Sequence, residues 1–344
     1  MKRSKKSFIA LILFGLIIIG LCFSSLMAKK EPKYVWKWAT LGQDSIKMME
    51  ILTLDFTHAA LKATNGDLKF VWYTGAIMGD EEDYLAKMRI GQLQAAMLSG
   101  TCNADVCPGI TVTELPFLFN NMEEVIYVRE RLRPKLNKIA EKKGFIILMT
   151  MDVESNFYST KYPLKQIEDF KKSKILTWHG PLEAEVLKSL GSSPIPVNVP
   201  DVVPSVRSGV VDGAISPSLW WLAAQLYTIT KYINPVPIRF DQAIFVVLKS
   251  EWKKLPAYQR DKLRRIALEI EGEVKKEAIR VSDDARKGMI DYGCKEVCMT
   301  TEEIDILRKR TMTVWNKMAG KEYPKELLNE VMDYLKSYRA NRVR

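Results

Sequence analysis

The sequence predicts an α/β fold in which helices cover a sheet with parallel members, followed by long carboxy-terminal helices. Segments typical of strands alternate with amphipathic helical segments over most of the chain, and this order favours parallel strand pairing. From residue 256 onwards the pattern is helical. A chain of 344 residues can bury a large core and commonly divides into two lobes.

The first part of the chain alternates regularly between strands and helices. Residues 34–40 alternate and are rich in aromatic side chains, which predicts the first strand. A helix is predicted over residues 44–63, and the Asn65-Gly66 pair then turns the chain into the next strand. The remaining elements predicted here are strands 68–73, 93–98 and 145–151, and helices 80–90 and 123–142.

The second part has shorter strands and ends in helices. The strands are predicted at 157–159, 174–178, 194–198 and 243–248. The helices are predicted at 181–190, 219–232, 257–292, 301–318 and 324–338.

Residues 207–221 read as a helix end, a short strand and a new helix start. Gly209 fits the position after a helix end, where a positive φ costs glycine nothing. The β-branched pair at 210–211 predicts the strand. Ser216 and Pro217 predict the start of the next helix, which opens with a tryptophan pair.

Residues 208–213 read Ser-Gly-Val-Val-Asp-Gly and, with three other stretches in order, resemble the extracytoplasmic solute receptors of TRAP transporters, the DctP-like family. The other stretches are 73–80 with 91–96 behind it, 114–119 and 244–256. The resemblance covers about residues 34–300. It implies the two-lobed periplasmic solute-binding protein fold, with an interlobe cleft that closes over one ligand.

The resemblance implies a division into two lobes and a helical region. Lobe 1 is expected at 34–153, with part of 230–300 returning to it, and lobe 2 at 154–230. The helical region, 256–344, is expected to pack across both lobes.

Residues 1–28 have the layout of a signal peptide. Residues 2–6 carry four basic charges and residues 8–22 are almost entirely apolar. The apolar run approaches the ~20 residues that span a bilayer. Cys22 is a candidate for lipidation, although the preceding Leu21 is larger than a lipidation motif prefers. We expect a periplasmic protein, with cleavage near Ala28, lipidation and a retained inner-membrane anchor left open.

The net charge of +11 does not indicate a nucleic-acid partner, because the basic residues are spread among acidic ones along the predicted helices. Beyond the leader, an even number of cysteines in an exported chain predicts disulfides. The candidates are Cys102, Cys107, Cys294 and Cys298. Their pairing is open, and a four-thiolate zinc site is the alternative.

No catalytic motif stands out. The sequence lacks glycine-rich phosphate loops, a nucleophile elbow and the paired histidines of a metalloprotease, and its two histidines are His58 and His179. We therefore predict no enzyme activity, no cofactor and no metal.

The most informative feature is a missing arginine. The resemblance implies an arginine at the end of the strand that matches residues 169–176, where it would hold a ligand carboxylate. Leu176 stands there, Ser155 stands where some members have a second arginine, and the acidic residue that some members place near Ser99 is absent. A buried carboxylate without a cation is unfavourable, so we expect an apolar or amphiphilic ligand.

The predicted ligand contacts are mostly aromatic or apolar. They are Trp38, Ser99, Ser155, Phe157, Leu176, Trp178, Val199, Gly209, Ile215, Trp220, Trp221 and Phe240.

Two alternatives remain at this point. Lys174, His179 or Arg239 could supply a relocated cation for a small organic acid. A ligand-sensing or scaffold protein without a transport role is the other alternative. The resemblance implies membrane permease subunits as partners, and a subclass without the arginine works with a periplasmic tetratricopeptide-repeat protein.

Overall fold

The computed structural model describes residues 31–342 apart from Ser45 and His179, and at 153–155 and 283 it describes the backbone alone. The leader with Cys22 and the cation candidate His179 lie outside the described residues. Among the described residues, none of the helices combines the length and the apolar character needed to cross a membrane.

The described strands form one mixed sheet of nine strands in the order β2-β1-β3-β8-β4-β7-β5-β6, with β9 paired to β8. The strands are β1 (Tyr34–Ala39), β2 (Leu68–Tyr73), β3 (Ala95–Leu98), β4 (Phe145–Thr160), β5 (Lys174–Thr177), β6 (Ser193–Pro196), β7 (Gly213–Ser216), β8 (Tyr232–Leu248) and β9 (Lys295–Glu296).

Helices pack on both faces of this sheet. Helix α1 is continuous through Lys47–Glu50, a π-helical stretch at Ile51–Phe56, and Thr57–Ala63. The others are α2 (Glu81–Arg89), α3 (Gly100–Val106), α4 (Met122–Lys142), α5 (Ile167–Phe170), α6 (Gly180–Leu190), α7 (Val202–Ser208), α8 (Ser218–Ala223), α9 (Lys249–Lys254), α10 (Ala257–Asp291), α11 (Thr301–Met318) and α12 (Lys325–Ala340).

Two long antiparallel strands, β4 and β8, run through the whole molecule. One end of the pair joins β1, β2 and β3, and we call this the first sheet half. The other end joins β5, β6 and β7, the second sheet half. The register of β4 against β8 shifts between Asp152 and Ser155, so a bulge lies between the halves. Bulges bend a strand and raise its twist.

Each sheet half has its own apolar clusters. Trp36 and Phe245 belong to one cluster of the first half, and Leu176 and Trp221 belong to one of the second half. Helix α10 contributes to both, through Val274 near its middle and Met289 near its end. The prediction of long carboxy-terminal helices is therefore confirmed.

The stretch 207–221 differs from its prediction in part. Gly209 does end α7 with a φ of 80°. The strand, however, is Gly213–Ser216 rather than the valine pair, and the helix cap is Pro217. Helix α8 ends at Ala223, and Gln225 then takes a left-handed φ of 55°. The predicted helix 219–232 fails because its second part, rich in β-branched and aromatic residues, leads into β8.

The disulfide prediction is wrong for the described cysteines, since all four thiols are free. Cys102 and Cys107 are five residues apart on and just after α3, about 7.5 Å along a helix axis, which exceeds the usual disulfide Cα separation. The segment from Cys294 to Cys298 runs through the extended strand β9 instead of a helix. Among the described residues there is also no group of three or more potential ligands that could hold a metal ion, which excludes the four-thiolate site.

Candidate functional site: the cleft between the sheet halves

Both groups of parallel strands point their carboxyl ends at the middle of β4 and β8. Leu98, the last residue of β3, lies opposite Ile244. Ser216, the last residue of β7, lies opposite Phe157 from the other side. The stretch 239–244 of β8 between these positions covers about 16 Å. Ligands of open α/β sheets bind outside the carboxyl ends of the strands, so the interlobe cleft between the two edges is the candidate site.

Two tryptophans form an aromatic wall on the second sheet half. Trp178 follows β5 and Trp220 lies in the first turns of α8, and both side chains are half-buried. Their ring centroids are 4.4 Å apart at an interplanar angle of 80°, an edge-to-face contact. Leu219 beside Trp220 packs against the apolar cluster of the first sheet half. The wall therefore stands where the two halves meet.

The cleft is closed by hydrogen bonds between the halves. Thr101, at the start of α3, donates to the Trp178 carbonyl from its backbone N at 3.2 Å and from its hydroxyl at 2.8 Å. The backbone N–H of Val199 donates to the Asp80 carboxylate at 2.7 Å. Both contacts use backbone groups of the second half, so the closed arrangement does not depend on a particular side chain there.

An acidic side chain does reach Ser99. The Glu81 carboxylate accepts from the Ser99 backbone N at 2.8 Å and from its hydroxyl at 2.7 Å. The residues beside Ser99 in sequence include no acid, and the carboxylate arrives from α2 instead.

Arg239 on the floor of the cleft is matched by two carboxylates. Its Nη1 is 2.8 Å from Glu183 and its Nε is 2.7 Å from Asp241, and all three side chains are buried. Burial lowers the pKa of Arg239, but Asp241 and then Glu183 outweigh it and raise that pKa. Glu183 also accepts from the backbone N of Trp178 at 2.9 Å. The Arg239 guanidinium is therefore held in internal ion pairs. Through Glu183 these pairs fix the backbone of Trp178 in the aromatic wall.

A second buried network lies beside the bulge in β4. Arg129 donates to Asp152 at 3.0 Å, and Lys275 lies 3.1 Å from the other oxygen of that carboxylate. On the same face, Glu271 pairs with Arg133 and accepts from the backbone N of Thr150 at 3.0 Å. These pairs connect α4 and α10 to the crossing strands.

The network predicts acid sensitivity. Burial raises the pKa of Asp152, but Arg129 and Lys275 outweigh it and hold that pKa below its usual value. Burial also opposes ionisation of Glu271, and Arg133 outweighs it in the same way, lowering that pKa. A lowered folded-state pKa gives stability that is present above the unfolded-state pKa and is lost as pH falls through the folded value.

We therefore expect the urea midpoint to be steady from pH 7 to about 5 and to fall below pH ~4. In Glu271→Gln this decline should be shallower, while Glu130→Gln, an exposed change on α4, should keep the wild-type decline. A midpoint that stays constant down to pH 3 in the wild type would contradict the assignment.

The sequence model of bacterial extracellular solute-binding protein, family 7, named DctP, matches residues 41–322. The chain belongs to the DctP family. An uncharacterized protein of Haemophilus influenzae is 26% identical over 208 residues, which cover 59% of this chain and 63% of that protein. The first three curated relatives are matched over 63%, 47% and 64% of their own lengths.

Solved TRAP periplasmic solute-binding proteins have the same fold as this DctP-family chain. The protein of Haemophilus influenzae RdAW, solved with L-gulonate, gives a TM-score of 0.82 at 18% identity, over 88% of this chain and 99% of that one. The protein of Citrobacter koseri, solved with D-glucuronate, gives 0.80 at 21% identity, over 87% and 99%. The predicted two-lobed fold is thus confirmed.

The structure places the predicted ligand contacts of this DctP-family chain at different depths. Ser99, Trp178, Val199 and Trp220 are half-buried and lie at the cleft edges. Six other predicted ligand contacts are buried in the apolar clusters: Trp38, Phe157, Leu176, Ile215, Trp221 and Phe240. For Ser155 only the backbone is described, opposite Phe240 on β8.

Gly209 and Lys174 lie at the far edge of the second sheet half. Lys174 begins β5 and its ammonium donates to the Gly209 carbonyl. This edge holds the amino ends of β5 and β7, whereas the cleft lies at their carboxyl ends. In this structure Gly209 is therefore not at the cleft, and Lys174 is no relocated cation for it.

Sequence reasoning missed the polar residues that shape the cleft. Asp80, Glu81, Thr101, Glu183 and Asp241 come from separate elements and meet only in the fold. A usable signal existed for Asp80 alone, because an aspartate before an acidic helical turn is typical of a helix cap. The contact of Asp80 with the backbone N–H of Val199 across the cleft could not be predicted from the sequence.

Proposed function

We propose that this chain is the solute receptor of a TRAP-type transporter and that it holds an apolar or amphiphilic ligand between lobe 1, residues 34–153, and lobe 2, residues 154–230. The ligand would then pass to membrane permease subunits. One observation carries the proposal: Leu176 replaces the expected arginine, and Arg239 on the cleft floor already pairs with two carboxylates.

The charges on the cleft floor favour this ligand class over an anion. A ligand carboxylate beside Arg239 would lie near Glu183 and Asp241, which occupy Nη1 and Nε and leave Nη2 without a hydrogen-bond partner among the described residues. Such a ligand would be repelled by two buried carboxylates and would share a single positive charge with them. The edge of the Trp178–Trp220 pair offers apolar area instead, at about 25 cal/mol per Å² buried.

Titration calorimetry with two acids bound by structural relatives tests the proposal directly. D-glucuronate and L-gulonate should give no binding heat at millimolar concentration, because neither finds an unpaired cation on the described cleft floor. A micromolar Kd for either acid would overturn the apolar assignment while leaving the receptor role intact.

Trp220→Ala should reduce ligand retention. Losing roughly 60 Å² of aromatic contact weakens binding by ~1.5 kcal/mol, or about tenfold. The measurement is the ligand-bound fraction of the freshly purified protein in native mass spectrometry. Leu222→Ala is the matched control, because Leu222 lies on the same helix and is exposed. Equal retention in both variants would exclude Trp220 from the ligand contact.

The second candidate is a receptor for a small organic acid with a relocated cation. It is favoured by the L-gulonate, D-glucuronate and succinate found in solved relatives. Lys174 and Arg239 are both engaged elsewhere, so His179 is the cation that this candidate requires. Binding of an organic acid that disappears in His179→Ala would establish it.

The leader and the partners complete the proposal. Residues 1–28 would export the chain to the periplasm and either leave it free or tether it to the inner membrane. A periplasmic tetratricopeptide-repeat protein would be a partner besides the permease. Affinity purification from the native host, with the permease and repeat protein as the expected companions, tests this part separately.

A further inference from the structure

A cavity of about 330 Å³ lies away from the cleft and contains none of the predicted ligand contacts. It opens to solvent between the loop after the 3₁₀ turn Ile110–Glu114, residues 235–237 of β8, and the amino-terminal turns of α11. Its volume falls at the lower end of the range of small-molecule sites.

The cavity walls are apolar and fixed in place. Phe117, Phe119, Pro235 and Pro237 line the cavity, with Asn120 as a polar neighbour. The backbone N of Phe117 donates to the Ile238 carbonyl at 2.7 Å, so the phenylalanine loop is attached to β8. Because proline has no backbone N–H, Pro235 and Pro237 place no backbone donor on this surface that water would have to satisfy.

A cationic side chain lies at the rim of the cavity and has no carboxylate partner among the described residues. The Arg308 guanidinium is exposed and lies 4.9 Å from the centroid of the Phe117 ring. Among the described residues no carboxylate pairs with it. The nearby Glu124 does not serve, because Arg339 holds both of its oxygens at 2.7 Å. The rim therefore carries a positive charge next to an apolar wall.

We propose that this cavity is a second binding site, for a small amphiphilic carboxylate whose apolar chain lies against the phenylalanines and prolines and whose carboxylate pairs with Arg308. A guanidinium over an aromatic ring is well placed for such a pair, since it presents a planar fork of donors. The site is independent of the ligand in the cleft.

Cys298 supplies a reporter inside the cavity. It lines the site and is exposed, whereas Cys102, Cys107 and Cys294 are buried. Burial raises the pKa of all three buried thiols, that of Cys107 to about 12. A neutral thiol reagent such as 4,4′-dithiodipyridine should thus react first at Cys298, and peptide mass mapping identifies that site.

The test measures the Cys298 reaction rate with octanoate as the probe and octanamide as its neutral counterpart. With octanoate at ten times its Kd the reaction should slow about tenfold, because only the free protein reacts. Arg308→Gln should abolish this protection, and Lys309→Gln, which removes a neighbouring charge outside the cavity, should retain it. Octanamide should protect far less.

Four outcomes overturn the proposal. Absence of protection by octanoate would exclude the site. Equal protection by octanamide, or protection that survives in Arg308→Gln, would exclude the carboxylate pairing. Protection that disappears in Trp220→Ala would place octanoate in the interlobe cleft instead.

Discussion

Arg129→Met should lower the free energy of unfolding by about 3–5 kcal/mol, the cost of breaking a buried charge network by removing one partner. Arg129 is buried and donates to the carbonyl oxygens of Thr113, Asp241 and Phe240 at 3.1, 3.0 and 2.6 Å. It also donates to the Asp152 carboxylate. Methionine fills similar space but donates to none of these acceptors, and it removes a positive charge beside Asp152.

Urea unfolding of the purified protein measures this loss. Arg131→Met is the matched control, because Arg131 lies on the same helix, is exposed and stacks on the Tyr127 ring at 3.3 Å. Its removal should cost less than about 1 kcal/mol. Equal losses in the two variants would show that the network around the bulge contributes nothing particular to stability.

Trp221→Ala should cost about 3–5 kcal/mol of unfolding free energy, as expected for a large aromatic side chain removed from a core. Trp221 is fully buried and shares an apolar cluster with Phe157, Leu176 and Val206. Alanine leaves a cavity that the surrounding strands cannot collapse into, because Phe157 and Leu176 are fixed by the sheet.

The adjacent Trp220→Ala is the comparison, measured by the same urea titration. Trp220 is half-buried, so its truncation should cost only about 1–2 kcal/mol while ligand retention falls. Trp221 would then be the residue that contributes to stability, and Trp220 the residue that contributes to ligand binding. A larger loss of stability in Trp220→Ala than in Trp221→Ala would reverse that assignment.

The fold was predictable where local chemistry and tertiary structure agree. Strand β2 matches its prediction at both ends, since Asn65-Gly66 precedes it and aromatic residues fill it. Helix α4 begins within one residue of its prediction, and the Asn121 side chain caps it. In both cases the residues that form the element also set its limits.

Strand β4 was not predictable as one strand. Its two ends are apolar and were predicted separately, but the polar residues between them read as a break. Asp152 and Asn156 remain in the strand because other elements supply partners, Arg129 for the Asp152 carboxylate and Asp241 for the Asn156 amide N–H. A sequence does not show where such partners come from.

The candidate site was predictable in its location and only partly in its residues. Trp178 and Trp220 follow from strand ends and helix starts. Gly209 was misplaced because it is near Ser216 in sequence. In the fold, Gly209 precedes the amino end of β7, whereas Ser216 is its carboxyl end. The pairing of Arg239 with Glu183 and Asp241, which decides whether a cation is available, is a property of the folded chain alone.

We propose that the cleft selects an apolar or amphiphilic ligand because Arg239, the described arginine on its floor, already pairs with two carboxylates. Native mass spectrometry of the protein as purified, followed by organic extraction and identification of the released molecule, tests this most directly. The account predicts an adduct that partitions into the organic phase. A water-soluble organic acid such as a uronate would contradict it, and would mean that the ligand pairs with Arg239 or with a cation outside the described residues.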